Sequence, residues 1–169
     1  MTFQTSVATA LPLVAPLQCP DTAAAIVIVA QSLQPDLAQG FQIDALRLRL
    51  EMERAFGGSD TNGVWDWKLA YEAGEVALVL FLRKFGRALL ARASTPAAVL
   101  PILAKVAGLL PTHTRRSEEM EQFQQFSTPL PMGLAALTAA QITPRDLVLE
   151  PSAGTGLLAI LAEIAGGSL

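Results

Sequence analysis

The chain has 169 residues, of which 51% are hydrophobic and 6% aromatic, and its formal net charge is -3. This length fits one domain, or a small domain with part of a second, and the abundance of Ala and Leu favours helix. Lys and Arg are scattered and lie near acidic residues, whereas nucleic-acid binders usually carry a basic stripe that neutralises phosphates. Any contact with DNA is therefore expected to come mainly from outside this chain.

The cysteine and histidine content excludes disulfide-stabilised proteins and proteins with a Cys/His metal site. Cys19 and His113 are the only residues of their types, so an intramolecular disulfide and a Cys/His metal site are both excluded. The apolar stretch Ala23–Ala30 has no positively charged side chain before it and is too short to span a bilayer. The sequence predicts a cytoplasmic protein without a membrane partner.

The N-terminal part of the chain predicts an arm and two helices. Residues 1–20 contain three prolines among small apolar residues, which predicts an extended arm. Asp21 offers an N-cap to a helix that is expected to end at Gln34, because Pro35 cannot continue it. A second helix is predicted over residues 43–56. Its expected polar face holds Asp44, Arg47, Glu51 and Arg54, and its expected apolar face holds Ile43, Leu46 and Leu50.

The longest predicted helix covers residues 65–91. Its charged residues form one narrow strip, and the remaining surface is nearly all apolar, which is typical of a helix surrounded by other helices. The strip consists of Lys68, Glu72, Glu75, Arg83 and Arg87, and the residues expected to be buried are Trp67, Tyr71, Leu78, Phe81 and Phe85. The pair Trp65/Trp67 has an alternative interpretation as a platform for stacking bases, but its apolar surroundings favour core packing.

The rest of the chain changes in character after a polar segment. A helix capped by Ser94-Thr95-Pro96 is expected to run to Leu110, with a kink at Pro101. Residues 112–124 predict a solvated linker. From residue 125 the pattern is an apolar helix (134–141), a short strand (147–149), a glycine turn and a last helix (157–164). The predicted fold class is mainly α: a helical bundle over residues 21–111, followed over 125–169 by the opening of an α/β Rossmann-like unit.

The glycine turn is the candidate binding site. Ligands of open α/β sheets bind at the carboxyl ends of the strands, and here a strand leads into Glu150 and then into Gly154 and Gly156. A carboxylate at this point disfavours a phosphate and favours an ammonium group. A phosphate-binding loop of the Walker type would need a Lys after its glycine, and none is present. Taken alone, the glycines are also compatible with a tight turn that binds nothing.

Two stretches resemble known families. Gln125-Phe126-Ser127-Thr128-Pro129, followed by an apolar helix and Leu149–Gly156, resembles the paired motifs of amino-methylating adenine DNA methyltransferases. Their order matches the subgroup in which the cofactor motif comes first. Residues 65–86 are similar to the N-terminal region of bacterial strawberry notch-like methylase/helicase proteins. The first resemblance covers about 45 residues.

This resemblance implies a cofactor and its binding residues. The cofactor is S-adenosylmethionine, and Phe126, Thr128 and Pro129 would line its methionine and adenine side. Glu150 would approach the methionine ammonium group. The loop would wrap the methionine carboxylate, helped by the N-terminus of the following helix. The binding residues of that loop would be Pro151, Ser152, Ala153, Gly154 and Gly156.

Two features of the family are missing from the 169 residues. The sequence contains no Asn/Asp-Pro-Pro-Tyr/Phe motif, which in the family orients the target amine, and no acidic residue after a second strand. The chain alone is therefore expected to transfer no methyl group. Parts of the parent protein beyond this chain would bind DNA. Two alternatives stay open: a helical interaction module with a degenerate end, and another α/β enzyme for an adenosine ligand.

The predicted strand 147–149 also lacks an evident partner strand in the sequence. An unpaired strand exposes backbone hydrogen-bonding groups on both edges. We therefore expect residues 144–169 to be disordered, to dock non-natively on the helical bundle, or to pair with the same strand of a second molecule.

Overall fold

The computed structural model describes residues 21–111 and 127–169. Its described part is mainly helical, which confirms the coarse fold class. Two 3-10 turns, Asp60–Asn62 and Pro96–Val99, accompany the α-helices. The α-helices are α1 (Thr22–Gln39), α2 (Ala45–Phe56), α3 (Trp67–Arg92), α4 (Leu100–Ala107), α5 (Leu130–Ala140) and α6 (Leu157–Ala165). The predicted arm 1–20 and linker 112–124, together with Phe126, lie outside the described residues.

Helix α1 begins as predicted but ends later. The Asp21 carboxylate accepts a hydrogen bond from the Ala23 N–H at 3.2 Å, which is an N-cap. The expected end at Gln34 is wrong, because α1 continues through Pro35 to Gln39. Proline removes one backbone hydrogen bond, but continuing the helix keeps Leu37 on the buried face below Leu33. Burial of that leucine offsets the lost bond.

Helix α2 ends at Phe56 as expected but begins at Ala45, two residues later than predicted. Ile43 is buried as predicted, but the rest of the predicted division of faces is wrong. Leu46 and Leu50 are 64% and 49% exposed, whereas Glu51 is only 4% exposed. The Glu51 carboxylate is paired with Arg47 and Arg54, so its buried charge is compensated. Arg47 also binds Asp36 of α1. A charge network between α1 and α2 thus orients this helix, with Leu48 buried and Leu46 and Leu50 in solvent.

Helix α3 is the centre of the bundle and packs against α1, α2 and α6. Of the residues expected to be buried, Leu78 and Phe81 are buried, while Trp67, Tyr71 and Phe85 are partly buried against the core. The tryptophan pair is a structural cluster. Trp65 is 3% exposed, it meets Trp67 edge to face, and its indole N–H donates to the Gly58 carbonyl. Core packing of Trp65 is therefore confirmed.

The segment after α3 is not the single helix that was predicted. A 3-10 turn over Pro96–Val99 precedes α4, and Pro101 lies in the first turn of α4, where a missing N–H costs little. The proline therefore marks a helix start instead of a kink. Helix α5 also begins earlier than predicted, at Leu130, because Pro131 occupies its first turn.

The predicted strand 147–149 does not form as a strand, but its first residue pairs within the chain. Leu147 forms an isolated parallel bridge with Ser168. The Val148 N–H donates to the Ser168 carbonyl at 2.7 Å, and the Ser168 N–H donates to the backbone carbonyl of Asp146 at 3.0 Å. The expectation that no partner exists is wrong. After α6, the turn at Gly166-Gly167 returns the chain to the side of Val148. Among the described residues this bridge is the whole of the β structure.

A turn stabilised by side-chain hydrogen bonds of Thr143 and Asp146 precedes the bridge. The Asp146 carboxylate accepts hydrogen bonds from the backbone N–H and the hydroxyl of Thr143 at 2.7 and 2.8 Å. These bonds favour the charged carboxylate and lower the pKa of Asp146 below its ordinary value. Residues 144–169 thus have a defined turn at one end and a helix docked on α3 at the other.

The described helices also bear on membrane association. In residues 21–111 and 127–169, no helix combines the length and the apolar character that crossing a bilayer requires.

Candidate functional site

Helices α3, α5 and α6 run in the same direction, which brings several predicted site residues to one end of the bundle. Gly133, near the start of α5, packs against Leu158 and Leu161 in the first half of α6. The far ends of the three helices meet around one cavity. Its lining includes Leu90 of α3, Leu137 of α5 and Ala165 of α6. The segments that precede α5 and α6 therefore lie beside each other.

The glycine loop connects the bridge residue to α6. Gly154 and Gly156 have φ angles of +52° and +92°, a left-handed conformation that L side chains rarely adopt. The Gly156 N–H donates to the Ala153 carbonyl at 2.7 Å, which closes the turn. Gly156 is the N-cap residue of α6, and no side chain caps that helix. The loop thus presents backbone N–H groups at a helix start.

Glu150 shapes the loop from within. Its carboxylate accepts a hydrogen bond from the Ser152 N–H at 3.0 Å, and the residue is half-buried. The next four residues, from Pro151 to Gly154, are exposed. One oxygen of Glu150 is therefore used by the turn itself, which holds the carboxylate at the mouth of the loop.

The residues predicted before α5 fall in the same region. Thr128 is half-buried and Pro129 is exposed, and the Pro129 carbonyl accepts from the Gly133 N–H in the first turn of α5. Because α5 and α6 start side by side, Thr128 and Pro129 lie on the same side of the bundle as the glycine loop. Phe126 lies outside the described residues.

The charged strip of α3 is the feature whose role the sequence did not reveal. Arg83 forms an ion pair with Glu163 of α6 at 3.3 Å, and Arg87 donates to the Glu163 carbonyl at 3.1 Å. Nearer the loop, the Thr155 hydroxyl donates to Glu75 at 3.1 Å. The strip therefore lies against α6 and the glycine loop. The narrowness of the strip in the sequence indicated that α3 is surrounded by other helices. No neighbouring residue indicated that α6 would be the helix packed against the strip.

Two carboxylates lie on one face of α3, and Glu75 is the one that contacts the loop. Burial raises the pKa of Glu72 above its ordinary value, and the neighbouring carboxylates of Glu75 and Asp66 raise it further, against the opposing effect of Lys68. Glu75 lies less than one helical turn beyond Glu72 and contacts Thr155. A cationic ligand group would be favoured electrostatically in this region.

This arrangement could hold a small ligand that carries both charges. Backbone N–H groups at a helix start suit a carboxylate, and carboxylates suit an ammonium group. A Cβ placed on Gly156 would meet nothing within 4 Å, as at Gly40, so the backbone there is open to solvent. Within the described ranges, no group of three or more His, Cys, Asp or Glu side chains could hold a metal ion.

The fold and the site define a mainly helical protein with a glycine loop at a helix start. Comparisons with protein-family models, with curated proteins and with solved structures gave no match for this chain.

Proposed function

We propose that this chain binds S-adenosylmethionine at the glycine loop and forms the N-terminal part of an adenine-N6 DNA methyltransferase. The observation that carries the proposal is the coincidence of two motifs at one place. The Thr128-Pro129 segment and the loop 150–156 are separated in sequence, yet each directly precedes one of two helices, α5 and α6, that pack together near their starts. This arrangement is expected of two halves of one pocket.

Local geometry around the loop supports the same proposal. A bridge residue, a glycine turn, a helix and a return to a parallel bridge follow one another over residues 147–168. This order corresponds to the opening of a parallel α/β sheet, whose ligands bind where the first strand enters the first helix. We therefore propose that residues 125–169 open a Rossmann-like methyltransferase unit.

The proposed roles follow from the positions of the residues. Gly154 and Gly156 let the backbone approach the methionine carboxylate, with Pro151, Ser152 and Ala153 completing the loop. Glu150 would face the ammonium group with the carboxylate oxygen that does not accept from the Ser152 N–H. Thr128 and Pro129, with Phe126, line the other side. The bound cofactor supplies a methyl group that its sulfonium already activates.

Binding of S-adenosylmethionine by the 169-residue chain tests the proposal. We expect a dissociation constant near 1 mM, about 4 kcal/mol of binding free energy, because the pocket is only partly enclosed. Gly154→Val should abolish binding, since a branched side chain at φ +52° distorts the loop. Titration followed by protein NMR measures both.

Gly40→Val is the matched control. Gly40 caps α1 in the same left-handed region, at φ +76°, and an added Cβ would meet nothing within 4 Å. It therefore carries a similar backbone strain away from the loop. Binding that survives in Gly154→Val, or that is lost equally in Gly40→Val, would contradict the assignment of the loop.

The chain alone is expected to methylate no DNA. Its sequence contains no Asn/Asp-Pro-Pro-Tyr/Phe motif to orient an exocyclic amine, and positioning of the amine is what an already activated donor still requires. Incubation with tritiated cofactor and DNA of mixed sequence should give background counts. Incorporation that depends on Glu150 would overturn this prediction.

The proposed partners and location follow from the same assignment. DNA would be bound by parts of the parent protein other than this chain, which has no basic stripe. The exposed side chains of Leu147 and Leu149 are compatible with a homodimer through residues 147–149. A cytoplasmic location agrees with a DNA-modifying role.

A helical interaction module is the second candidate function. The exposed leucines of α2, Leu46 and Leu50, lie one helical turn apart on the same face, as in a surface that binds another protein. This candidate predicts no cofactor binding and no effect of Gly154→Val, so the titration described above separates the two.

A further inference from the structure

One hydrogen bond joins the glycine loop to the helical bundle across a large sequence separation. Thr155, between Gly154 and Gly156, donates its hydroxyl to the Glu75 carboxylate of α3 at 3.1 Å, and 80 positions separate the two residues. Both side chains are half-buried. A hydrogen bond to a charged acceptor in such surroundings is stronger than one in open solvent.

Among the described residues, two other hydrogen bonds are internal to the loop, and a third joins the Gly156 carbonyl to the Ile160 N–H of α6. The Glu150–Ser152 bond and the Gly156–Ala153 bond determine the shape of the loop, but they act only between loop residues. The contact with Glu75 is different, because it determines where the loop lies relative to the bundle. Helix α3 is a suitable reference, since its middle residues are among the most buried of the molecule.

The remaining contacts between α3 and α6 lie farther along both helices. Arg83 and Arg87 bind Glu163, and Gly86 packs against Ile164, in the last turns of α6. They hold the helix, but they are more than one turn from the loop. Glu75, in contrast, hydrogen-bonds to the loop itself.

We propose that Glu75 is a positioning residue for the glycine loop, so that the helical bundle controls the affinity of the loop for the cofactor. The inference rests on the proposed function for the identity of the ligand, S-adenosylmethionine. Glu75 acts through Thr155: its carboxylate holds the hydroxyl, the hydroxyl holds the peptide between the two glycines, and the N–H groups of the loop are thereby aimed at one point. No direct contact between Glu75 and the ligand is required.

Conservative and non-conservative replacements distinguish positioning of the loop by Glu75 from a direct effect of the Glu75 charge on the ligand. Glu75→Gln keeps a carbonyl oxygen that accepts from Thr155, whereas Glu75→Ala removes the acceptor. Thr155→Ser keeps the hydroxyl, whereas Thr155→Val removes it at nearly constant volume. Glu163→Ala is the matched control, because Glu163 also joins α6 to α3, by its ion pair with Arg83, but at the opposite end of α6.

The first measurement needs no ligand. Hydrogen exchange of the Gly156 amide, which closes the loop turn, should accelerate about tenfold in Glu75→Ala and Thr155→Val, as expected when a hydrogen bond to a charged group is lost. It should stay near the wild-type rate in Glu75→Gln, Thr155→Ser and Glu163→Ala. Unchanged exchange in Glu75→Ala, or equal acceleration in Glu163→Ala, would overturn the inference.

The second measurement is the affinity for S-adenosylmethionine by NMR titration of the full chain. Glu75→Ala and Thr155→Val should weaken binding about tenfold, and the two conservative variants should bind like the wild type. Weakening in Glu75→Gln equal to that in Glu75→Ala would show that charge acts directly, which overturns the positioning role. If the wild type binds no cofactor while loop exchange still depends on Glu75, the positioning role stands and the proposed function fails.

Discussion

Replacement of Phe81 by alanine is expected to lower the free energy of unfolding by about 3–5 kcal/mol, the usual cost of removing a buried aromatic ring. Phe81 is 7% exposed, and its ring centroid lies 5.1 Å from that of Phe85. The alanine would leave a cavity in the middle of α3, the helix that packs against α1, α2 and α6. Urea unfolding followed by circular dichroism measures the loss.

Phe41→Ala provides the matched control for this change. The same atoms are removed, but Phe41 is 57% exposed, so the free energy of unfolding should change by less than about 0.5 kcal/mol. Equal losses in the two variants would mean that the Phe81 face of α3 is not part of the core.

Replacement of Gly86 by leucine should separate α6 from α3 and cost about 1–3 kcal/mol, as overpacking of a close contact does. A Cβ placed on Gly86 would lie 2.8 Å from Cδ1 and 3.3 Å from Cγ2 of Ile164. The larger side chain must push the helices apart, which also lengthens the Arg83–Glu163 and Thr155–Glu75 contacts. Urea unfolding gives the energy, and faster exchange of the Ile160 amide reports the undocking of α6.

Two further variants show whether the effect arises at this contact. Ala88→Leu introduces the same side chain on the exposed side of α3 and should be nearly neutral. Gly86→Leu combined with Ile164→Ala should lose less than the sum of the two single losses, because the cavity of one accommodates the excess volume of the other. Strictly additive losses would place the strain of Gly86→Leu elsewhere.

Several local features were predicted well because the residues that determine them are neighbours in sequence. Asp21 caps α1, as its position before an apolar helix indicates, and α2 ends at Phe56 before Gly57 in the left-handed region. The start of α6 at Leu157, directly after the glycine loop, was predicted on the same grounds. Capping and turn formation involve groups within about four residues of each other.

The face of α2 was predicted incorrectly because periodicity ranks residues by polarity alone. A carboxylate flanked by two arginines can be buried where an unpaired one cannot, and the partners of Glu51 include an arginine that also binds α1. Pro35 shows the same limitation. Its local preference to end a helix is outweighed by the burial of Leu37 against the bundle.

In the candidate site, too, local features could be predicted from the sequence and a long-range contact could not. The motifs around Pro129 and Gly154 could be recognised from the sequence, and the left-handed glycines follow from the tight turn that their spacing predicts. The partner of Leu147 could not be recognised, because Gly166-Gly167-Ser168 has no strand-like composition and pairs only through its backbone. Every residue type except proline has the same backbone donor and acceptor. Pairing through the backbone alone therefore produces no recognisable pattern in the amino-acid sequence.

The sequence by itself determined the mainly helical character, the ends of helices at Asp21 and Gly57, the glycine turn and the narrow charged strip of α3, since each depends on local spacing. Only the tertiary structure decided that this strip lies against α6, that Glu75 holds Thr155, and that the segments before α5 and α6 lie together. Glu75 and Thr155 are 80 positions apart, and their meeting depends on how α6 packs on α3 through Gly86 and Ile164. Contacts of this kind arise from the shape of packed surfaces, which is a property of the whole fold and not of any short segment.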